Sequence, residues 1–384
     1  MNKPLIITIA VGVLILALGS WLYLFLFGAP QTPNEIFTDL GIVPAAEQSV
    51  TPTSTNTAGS VSTLVDTSVD QALQQLTIRP VAGFIALDER VRYVEQGTGH
   101  VYEIDVASGN ETRISNTTVP TVTGAYFSSD GARVVLVSEL PTERVVIIGT
   151  ISSGALSPTQ LPPEAQDLAF VGSSTLQYSI SDTTSTTGYT YDVTSGSQQQ
   201  SFTVPFAAVR VVYAGGQTYL YNKPAVNLEG AVYTITNRSL TPISLAAFGL
   251  TARFADTNWY ALSFNQNNTL ESRTVNRATS EAFQLPIVMV PDKCDWVESI
   301  LYCAAPFTVE RHTYIEEWYK GIVRSDDVLW RINPRNESAT LVVNPNASVG
   351  RPLDMTGLSA TSDGAVLFVN RLDNTLWRYA ETTS

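Results

Sequence analysis

The chain has 384 residues, a formal net charge of −13 and only 15% charged side chains. Its length fits one large β domain or two ordinary domains. Binders of nucleic acid or anionic lipid headgroups need clustered Lys and Arg, whereas the basic residues here are scattered singly. This argues against a phosphate-binding surface, and we expect no nucleic-acid partner. Abundant Thr, Ser, Val, Gly and Pro favour short strands and turns over helices.

The first feature of the chain is an uncharged run of apolar and small residues from Pro4 to Phe27. At 1.5 Å per residue, a helix of about 24 residues can cross a hydrocarbon core of about 30 Å. Lys3 precedes the run, and the first charges after it are Glu35 and Asp39. The positive-inside bias then predicts a cytoplasmic N-terminus. We predict a single-pass anchor over residues 1–28 in the cell membrane, with the rest of the chain outside.

A cleaved signal peptide is the alternative, because Ala17–Gly19 supplies small residues at a spacing that a peptidase accepts. A cut there would leave the stretch from Trp21 to Phe27 as an apolar N-terminus, which favours the uncleaved anchor. The following residues, 29–66, are rich in Pro, Thr and Ser and predict a flexible linker. Ser68 and Gln71, followed by apolar residues up to Leu76, predict a short capped helix.

An aromatic residue recurs at a fixed period through the remaining residues, 67–384. The spacings are 43, 43, 43, 41 and 42 residues, which is the length of one four-stranded propeller blade. A seventh unit begins near Leu358. We therefore predict an all-β fold, a seven-bladed β-propeller of four-stranded blades. The recurring residues are Phe84, Phe127, Phe170, Tyr213, Phe254 and Trp296.

The last unit supplies three strands, and a fourth is needed to cover its edge. The stretch from Gln75 to Val81 is strand-like and precedes the first blade. We predict that residues near 75–81 pair as the outer strand of blade seven and close the ring.

Blade six is about 21 residues longer than one period, which predicts an insertion near residues 307–327. Insertions in propellers lie on one rim of the ring, and this one combines aromatic, basic and acidic side chains. Such a mixture is typical of a ligand site or of a protein-binding hot spot, although a segment that merely packs on the rim is the alternative. The candidate binding residues are Arg311, His312, Tyr314, Glu316, Glu317, Trp318, Tyr319 and Lys320.

The two cysteines, Cys294 and Cys303, lie in one predicted hairpin whose turn is centred between Glu298 and Ser299. This centring places them directly opposite each other. A two-residue turn makes them a non-hydrogen-bonded pair with Cα atoms about 4.5 Å apart, close enough for a cross-strand disulfide, whereas a four-residue turn makes them a hydrogen-bonded pair. An oxidising compartment favours the disulfide.

No motif points to catalysis, a metal or a cofactor. The sequence has no Gly-x-Ser-x-Gly elbow and no His-Glu-x-x-His pair, and its two histidines have no neighbouring ligands. Glu316–Glu317 and Asp326–Asp327 are paired carboxylates, but adjacent acidic residues on a loop are usually just solvated. We expect no metal and no cofactor and favour a non-enzymatic role.

Two turns carry a resemblance. At Phe127–Val137 and at Thr361–Val369 the chain resembles the TolB-like, WD-type class of propeller repeat, in which a Ser-x-Asp-Gly turn joins the first two strands of a blade. The whole layout also resembles uncharacterised membrane-anchored propeller proteins of candidate-phylum bacteria. The residues that carry this resemblance are Arg92–Glu95, Gly99–Glu103, the hairpin of Cys294 and Cys303, and Trp318–Gly321. The resemblance implies the fold rather than an activity.

The sequence thus predicts an extracytoplasmic propeller that acts as an interaction module of the cell envelope and recognises an envelope protein or polysaccharide. The alternative is a glycan-acting hydrolase or lyase on the same scaffold, and a passive spacer is a third option. An enzyme should gather carboxylates, Arg or a metal at the channel mouth, whereas a binding module should expose apolar groups ringed by polar ones.

Overall fold

The computed structural model describes residues 72–152, 154–207, 209–265, 267–309 and 313–381. The predicted membrane anchor (1–28) and linker (29–66) lie outside the described residues. In the part that is described, no helix has the length and apolar character needed to span a membrane.

Seven four-stranded antiparallel sheets form successive blades of a β-propeller, which confirms the predicted all-β, seven-bladed fold. The first strand, β1 (Leu73–Gln75), belongs to the last blade. Each of the first three blades follows chain order from its innermost to its outermost strand. They comprise β2 (Val81–Leu87), β3 (Arg90–Glu95), β4 (Val101–Asp105) and β5 (Glu111–Ser115); β6 (Val122–Phe127), β7 (Arg133–Glu139), β8 (Arg144–Ser152) and β9 (Ala155–Leu161); and β10 (Gln166–Val171), β11 (Thr175–Ser181), β12 (Thr186–Asp192) and β13 (Ser197–Val204).

The fourth blade has an accessory ribbon, made by the pairing of β16 with β19. The other blades keep the simple order. Blades four to seven and the ribbon comprise β14 (Val209–Ala214), β15 (Gln217–Asn222), β16 (Glu229–Gly230), β17 (Val232–Thr236), β18 (Ser239–Pro242) and β19 (Ala247–Phe248); β20 (Thr251–Phe254), β21 (Asn258–Phe264), β22 (Leu270–Asn276) and β23 (Ala282–Gln284); β24 (Cys294–Val297), β25 (Ile300–Ala305), β26 (Val328–Asn333) and β27 (Ser338–Val343); and β28 (Met355–Ala360), β29 (Val366–Asn370) and β30 (Thr375–Tyr379) with β1.

Helical structure in the described residues is short. It consists of α1 (Tyr314–Tyr319), α2 (Pro345–Val349) and the 3-10 turns Pro291–Lys293 and Pro334–Asn336. The helix predicted from Ser68 to Leu76 is wrong in its described part, because Leu73–Gln75 is strand β1, and residues 68–71 lie outside the described residues.

The aromatic residues that set the repeat all lie in innermost strands of successive blades. Phe84 is in β2, Tyr213 is in β14 and Trp296 is in β24. Side chains from adjacent blades pack together, as where Ile148 of blade two and Tyr178 of blade three share one buried cluster. The period is therefore visible in the sequence because the first six blades each have an aromatic side chain in the innermost strand, whereas β28 of blade seven has none.

The two turns that resemble TolB-like repeats have the same internal hydrogen bonding. In the β6–β7 turn, Ser128 Oγ donates to Asp130 Oδ1 over 2.6 Å. In the β28–β29 turn, the hydroxyl of Thr361 donates to Asp363. The glycine that follows each aspartate has a positive φ, which explains the Asp-Gly pair at this position.

The ring is closed by β1, which pairs with β30 as the outermost strand of blade seven, with Leu73 opposite Tyr379. This closing strand lies earlier than the predicted stretch 75–81, of which only Gln75 belongs to it. Val81 instead begins the innermost strand of blade one. Leu73 is buried among Tyr302, Trp377 and Tyr379. Burial of this side chain explains why β1 pairs with β30 in the register that places Leu73 opposite Tyr379.

Antiparallel pairing places two kinds of connection at the same end of the ring. Connections from the second to the third strand of a blade, and from the fourth strand to the next blade, both emerge there. The long connection between β25 and β26, which contains α1, belongs to this group. We call this end the insertion face.

Candidate functional site

The candidate binding residues lie on α1 and its flanks, at the insertion face. Arg311 and His312 lie outside the described residues. Trp318 is 4% exposed, so its indole packs inside the protein. Its Nε1 donates to Asp354 Oδ1 over 3.1 Å, and its carbonyl accepts from Arg371 over 2.8 Å. Trp318 therefore fixes α1 to blade seven.

Glu316 and Tyr319 of α1 connect the insertion to blades four and five, and Lys320 pairs with Glu316. Glu316 Oε2 accepts a hydrogen bond of 2.9 Å from the backbone N–H of Val226, in the connection between β15 and β16. Lys320 forms an ion pair with Glu316. The hydroxyl groups of Tyr319 and Thr251 lie 3.0 Å apart. The insertion thus spans from blade six across blade five to blade four.

Tyr314 and Glu317 complete the predicted set. The Tyr314 ring packs beside the core around Ile315, and burial raises the pKa of its hydroxyl. Glu317 Oε1 accepts a hydrogen bond of 2.8 Å from Thr313 Oγ1 at the start of α1. The structure brings the described candidates together on one helix, and their binding role stays a prediction.

A buried charged group lies beneath α1, which we call the Lys293 cluster: Lys293, Ser325, Asp327 and Asp354. Lys293 Nζ lies 2.5 Å from Asp327 Oδ2 and 2.7 Å from Asp354 Oδ1, and it also donates to Ser325. Lys293, Asp327 and Asp354 are each 0% exposed. Sequence reasoning missed this cluster because its members come from three separate connections.

The pKa values in this cluster move in different directions. Burial raises the pKa of Asp327 despite the nearby ammonium. Burial also acts to raise the pKa of Asp354, but the charge and hydrogen bonds of Lys293 hold it below its usual value. Burial acts to lower the pKa of Lys293, while the charge of Asp327 raises it overall.

A cavity of about 390 Å³ opens into the centre of the ring, lined by innermost strands of blades two to five and by Asp292. We call it the channel cavity. Arg210 forms an ion pair of 2.9 Å with Asp292. Asp167 accepts a hydrogen bond of 2.7 Å from Ser179, and burial raises the pKa of the Asp167 carboxyl. The cavity thus holds an arginine that is already paired and a carboxyl group whose pKa is raised.

The insertion face also exposes apolar side chains. Of the ten large hydrophobic residues that are exposed in the described part of the chain, seven lie in connections at this face. Leu245 is 84% exposed and Leu228 is 70% exposed, although large apolar side chains in a monomeric surface are normally more dispersed. The seven are Ile78, Leu228, Ile243, Leu245, Phe248, Phe307 and Ile322.

Cys294 and Cys303 lie directly opposite each other on β24 and β25 and form a disulfide, with Cα atoms 4.1 Å apart. Glu298, in the turn between them, has a φ of 52°. The disulfide joins the two innermost strands of blade six. Because Cys294 directly follows Lys293, the bond lies beside the Lys293 cluster.

The described residues contain no group of three or more His, Cys, Asp or Glu side chains suited to a metal ion.

Comparison with solved structures identifies the fold. The β-propeller domain of the Trilobed protease from Pyrococcus furiosus, described as having an open velcro topology, is 8% identical with a TM-score of 0.56 over 79% of this chain and 96% of that chain. The Cps50 (Swd1) β-propeller domain of Myceliophteria thermophila is 9% identical with a TM-score of 0.53, covering 81% of this chain and 100% of that chain. An oligogalacturonate lyase in complex with manganese is 12% identical with a TM-score of 0.52, covering 81% of this chain and 93% of that chain.

These likenesses show the propeller fold alone. The chain has the β-propeller fold that its repeats predict. No protein-family model and no curated protein matches the sequence. The resemblance to membrane-anchored propeller proteins of candidate-phylum bacteria stays a prediction.

Proposed function

We propose that the chain is an interaction module of the cell envelope, anchored in the membrane by residues 1–28, whose insertion face binds an envelope protein or polysaccharide outside the cell. The proposal rests mainly on the concentration of exposed apolar side chains at this face. Burial of such groups against a partner supplies about 25 cal/mol per Å² of apolar surface. The polar and charged residues of the neighbouring connections would form the rim.

The direction of the chain also supports binding at this face. Strand β1 runs toward the insertion face, because the connection from β1 to β2 emerges there. The described chain therefore enters the propeller at the opposite end, near Ala72. A partner that covers Leu228 and Leu245 would not meet the point of entry.

The buried position of Trp318 changes which residues should be tested. Replacing Trp318 and Tyr319 by Ala would disturb the contacts of α1 with Asp354 and Thr251 rather than remove an exposed contact. Exposed leucines on the blade-four connections are better probes of binding, because Leu228 and Leu245 contribute little to the core.

The test is capture of envelope proteins and polysaccharides by the full chain in mild detergent. The Leu228→Ser, Leu245→Ser double variant removes two apolar contacts at the insertion face. The Leu341→Ser variant is the matched control, because Leu341 is 40% exposed but lies in the outermost strand of blade six. We expect a partner that binds the wild type and the control and is lost from the double variant. A partner that binds all three equally would contradict the proposal.

A glycan-acting hydrolase or lyase is the second candidate, and Asp167 in the channel cavity is the observation that favours it. A carboxyl group with a raised pKa can act as a general acid near neutral pH. Incubation of the full chain with envelope polysaccharides, beside an Asp167→Asn variant, tests this candidate. Release of new sugar ends by the wild type alone would support catalysis, and no release would count against it.

A further inference from the structure

We propose that Lys293 and Asp327 condense spontaneously into an isopeptide bond that joins the side chains within blade six. The two reacting groups already touch, since Lys293 Nζ lies 2.5 Å from Asp327 Oδ2. Both side chains are 0% exposed. Such enclosure excludes the water that would hydrolyse an intermediate or solvate the separate charges.

The electrostatics of the cluster favour a neutral product. One ammonium and two carboxylates are buried together, so a fully ionised cluster has one excess negative charge. Burying charges is expensive unless they are paired and fully hydrogen-bonded, yet Asp327 Oδ1 and Asp354 Oδ2 have no hydrogen-bond partner among the described residues. An amide between Lys293 and Asp327 removes one positive and one negative charge.

Lys293 Nζ contacts both carboxylates, which provides the groups for an amide condensation. The Lys293 ammonium gives one proton to Oδ1 of Asp327, and the resulting amine attacks Cγ of that carboxylic acid, so that the negative charge develops on Oδ2. The backbone N–H of Met355, 2.8 Å from Asp327 Oδ2, stabilises the negative charge that develops on that oxygen.

Asp354 completes the proton transfers. Its carboxylate accepts a second proton from the attacking nitrogen and passes it to the departing Oδ1 oxygen, which leaves as water. The third proton stays on the amide nitrogen, so the ammonium and carboxylate become one amide and one water molecule. The directions of the pKa shifts agree, because burial raises the pKa of Asp327 while Lys293 lowers the pKa of Asp354 against the effect of burial. Trp318 Nε1 and Ser325 Oγ, each 3.1 Å from Asp354 Oδ1, hold this carboxylate in place.

The test is tryptic digestion of the full chain, purified in detergent, denatured and examined by mass spectrometry. A free Lys293 is cleaved after its own position and gives the peptide 278–293. A bonded Lys293 resists cleavage and gives 278–311 joined to 325–331, with the mass of the two peptides less one water. We expect the joined species in the wild type. Recovery of 278–293 in full yield would overturn the proposal.

Two variants separate the chemistry from the fold. Lys293→Met cannot form the bond. Asp354→Asn keeps both reacting groups and an oxygen for Trp318 Nε1, but it removes the proton carrier. We expect folded Asp354→Asn protein to yield the unjoined peptide 278–293. A joined species at wild-type yield in Asp354→Asn would contradict the role of Asp354, and a joined species in Lys293→Met would contradict the assignment to Lys293.

Discussion

The backbone N–H of Val226 donates a 2.9 Å hydrogen bond to Oε2 of Glu316, which joins blade four to the insertion of blade six. Val226 precedes the exposed Leu228 on the same connection. Because Glu316 also pairs with Lys320, its carboxylate is held by two partners, and the hydrogen bonds from Lys320 and Val226 lower its pKa. The position of the exposed leucine therefore depends on a helix from another blade.

Glu316→Ala should loosen the connection between β15 and β16 without unfolding the ring. Without an acceptor, the amide of Val226 should exchange its hydrogen with solvent at least several-fold faster, as measured by hydrogen–deuterium exchange. Lys320→Ala is the control, because it removes the ion pair but keeps the bond to Val226. Equal exchange at Val226 in the wild type and Glu316→Ala would show that the bond does not order this connection.

Trp318→Phe should lower stability through the loss of one hydrogen bond. The ring stays apolar, but Asp354 loses the Nε1 donor, and hydrogen bonds to charged groups contribute about 1.5–3 kcal/mol. Trp330→Phe is the matched control, because Trp330 Nε1 has no partner among the described residues. Urea unfolding curves of the two variants and the wild type measure the difference. A loss no greater than that of Trp330→Phe would contradict the assigned role.

Leu73→Ala should weaken the closure of the ring. Leu73 is 1% exposed in β1, and truncation of a buried leucine costs about 2–5 kcal/mol of unfolding free energy. Gln74→Ala, in the same strand but exposed, should cost little. Thermal unfolding, together with protease sensitivity of the β30 edge, tests this expectation. Similar melting temperatures for the two variants would argue against closure by β1.

Asp182 should make the β11–β12 turn sensitive to acid. Hydrogen bonds from the backbone N–H groups of Thr184 and Ser185 lower the pKa of Asp182 to about 2. A lowered folded-state pKa contributes stability that is fully present above the unfolded pKa of about 3.9 and is lost as the pH falls toward 2.

The matched variant is Asp182→Asn, which keeps an oxygen acceptor but does not titrate. Urea unfolding midpoints of wild type and variant should converge as the pH falls from 4.5 to 2. A difference in midpoint that stays constant over this range would show that Asp182 does not have the lowered pKa.

The repeat was predictable because the innermost strands of blades one to six each contain an aromatic residue, as Phe84 and Tyr213 show. The closing strand was harder to place. Leu73 and Leu76 also fit a helical period, and only the packing of Leu73 against Tyr379 decides for a strand. Tertiary contacts with residues about 300 positions away are not visible in a local pattern.

The candidate site shows the same limit. Trp318 stood out as an aromatic in an insertion, but its burial depends on Asp354 in the following connection. Lys293 was inconspicuous in the sequence, because a lysine before a strand is normally solvated. Its surroundings are assembled from three connections that only the closed ring brings together.

Ring closure also requires that synthesis of the chain has reached the last blade, because β1 pairs with β30. The bond between Thr77 and Leu376 links positions 299 residues apart, whereas pairing within blades one to six is local. Those six sheets can assemble in order as the polypeptide emerges, but β1 finds no partner until β30 follows. A product truncated before Thr375 would keep unpaired edges on β1 and β29, which β30 otherwise joins. Proteases and chaperones recognise such exposed edges. Pairing of β1 with β30 therefore distinguishes completed molecules from fragments.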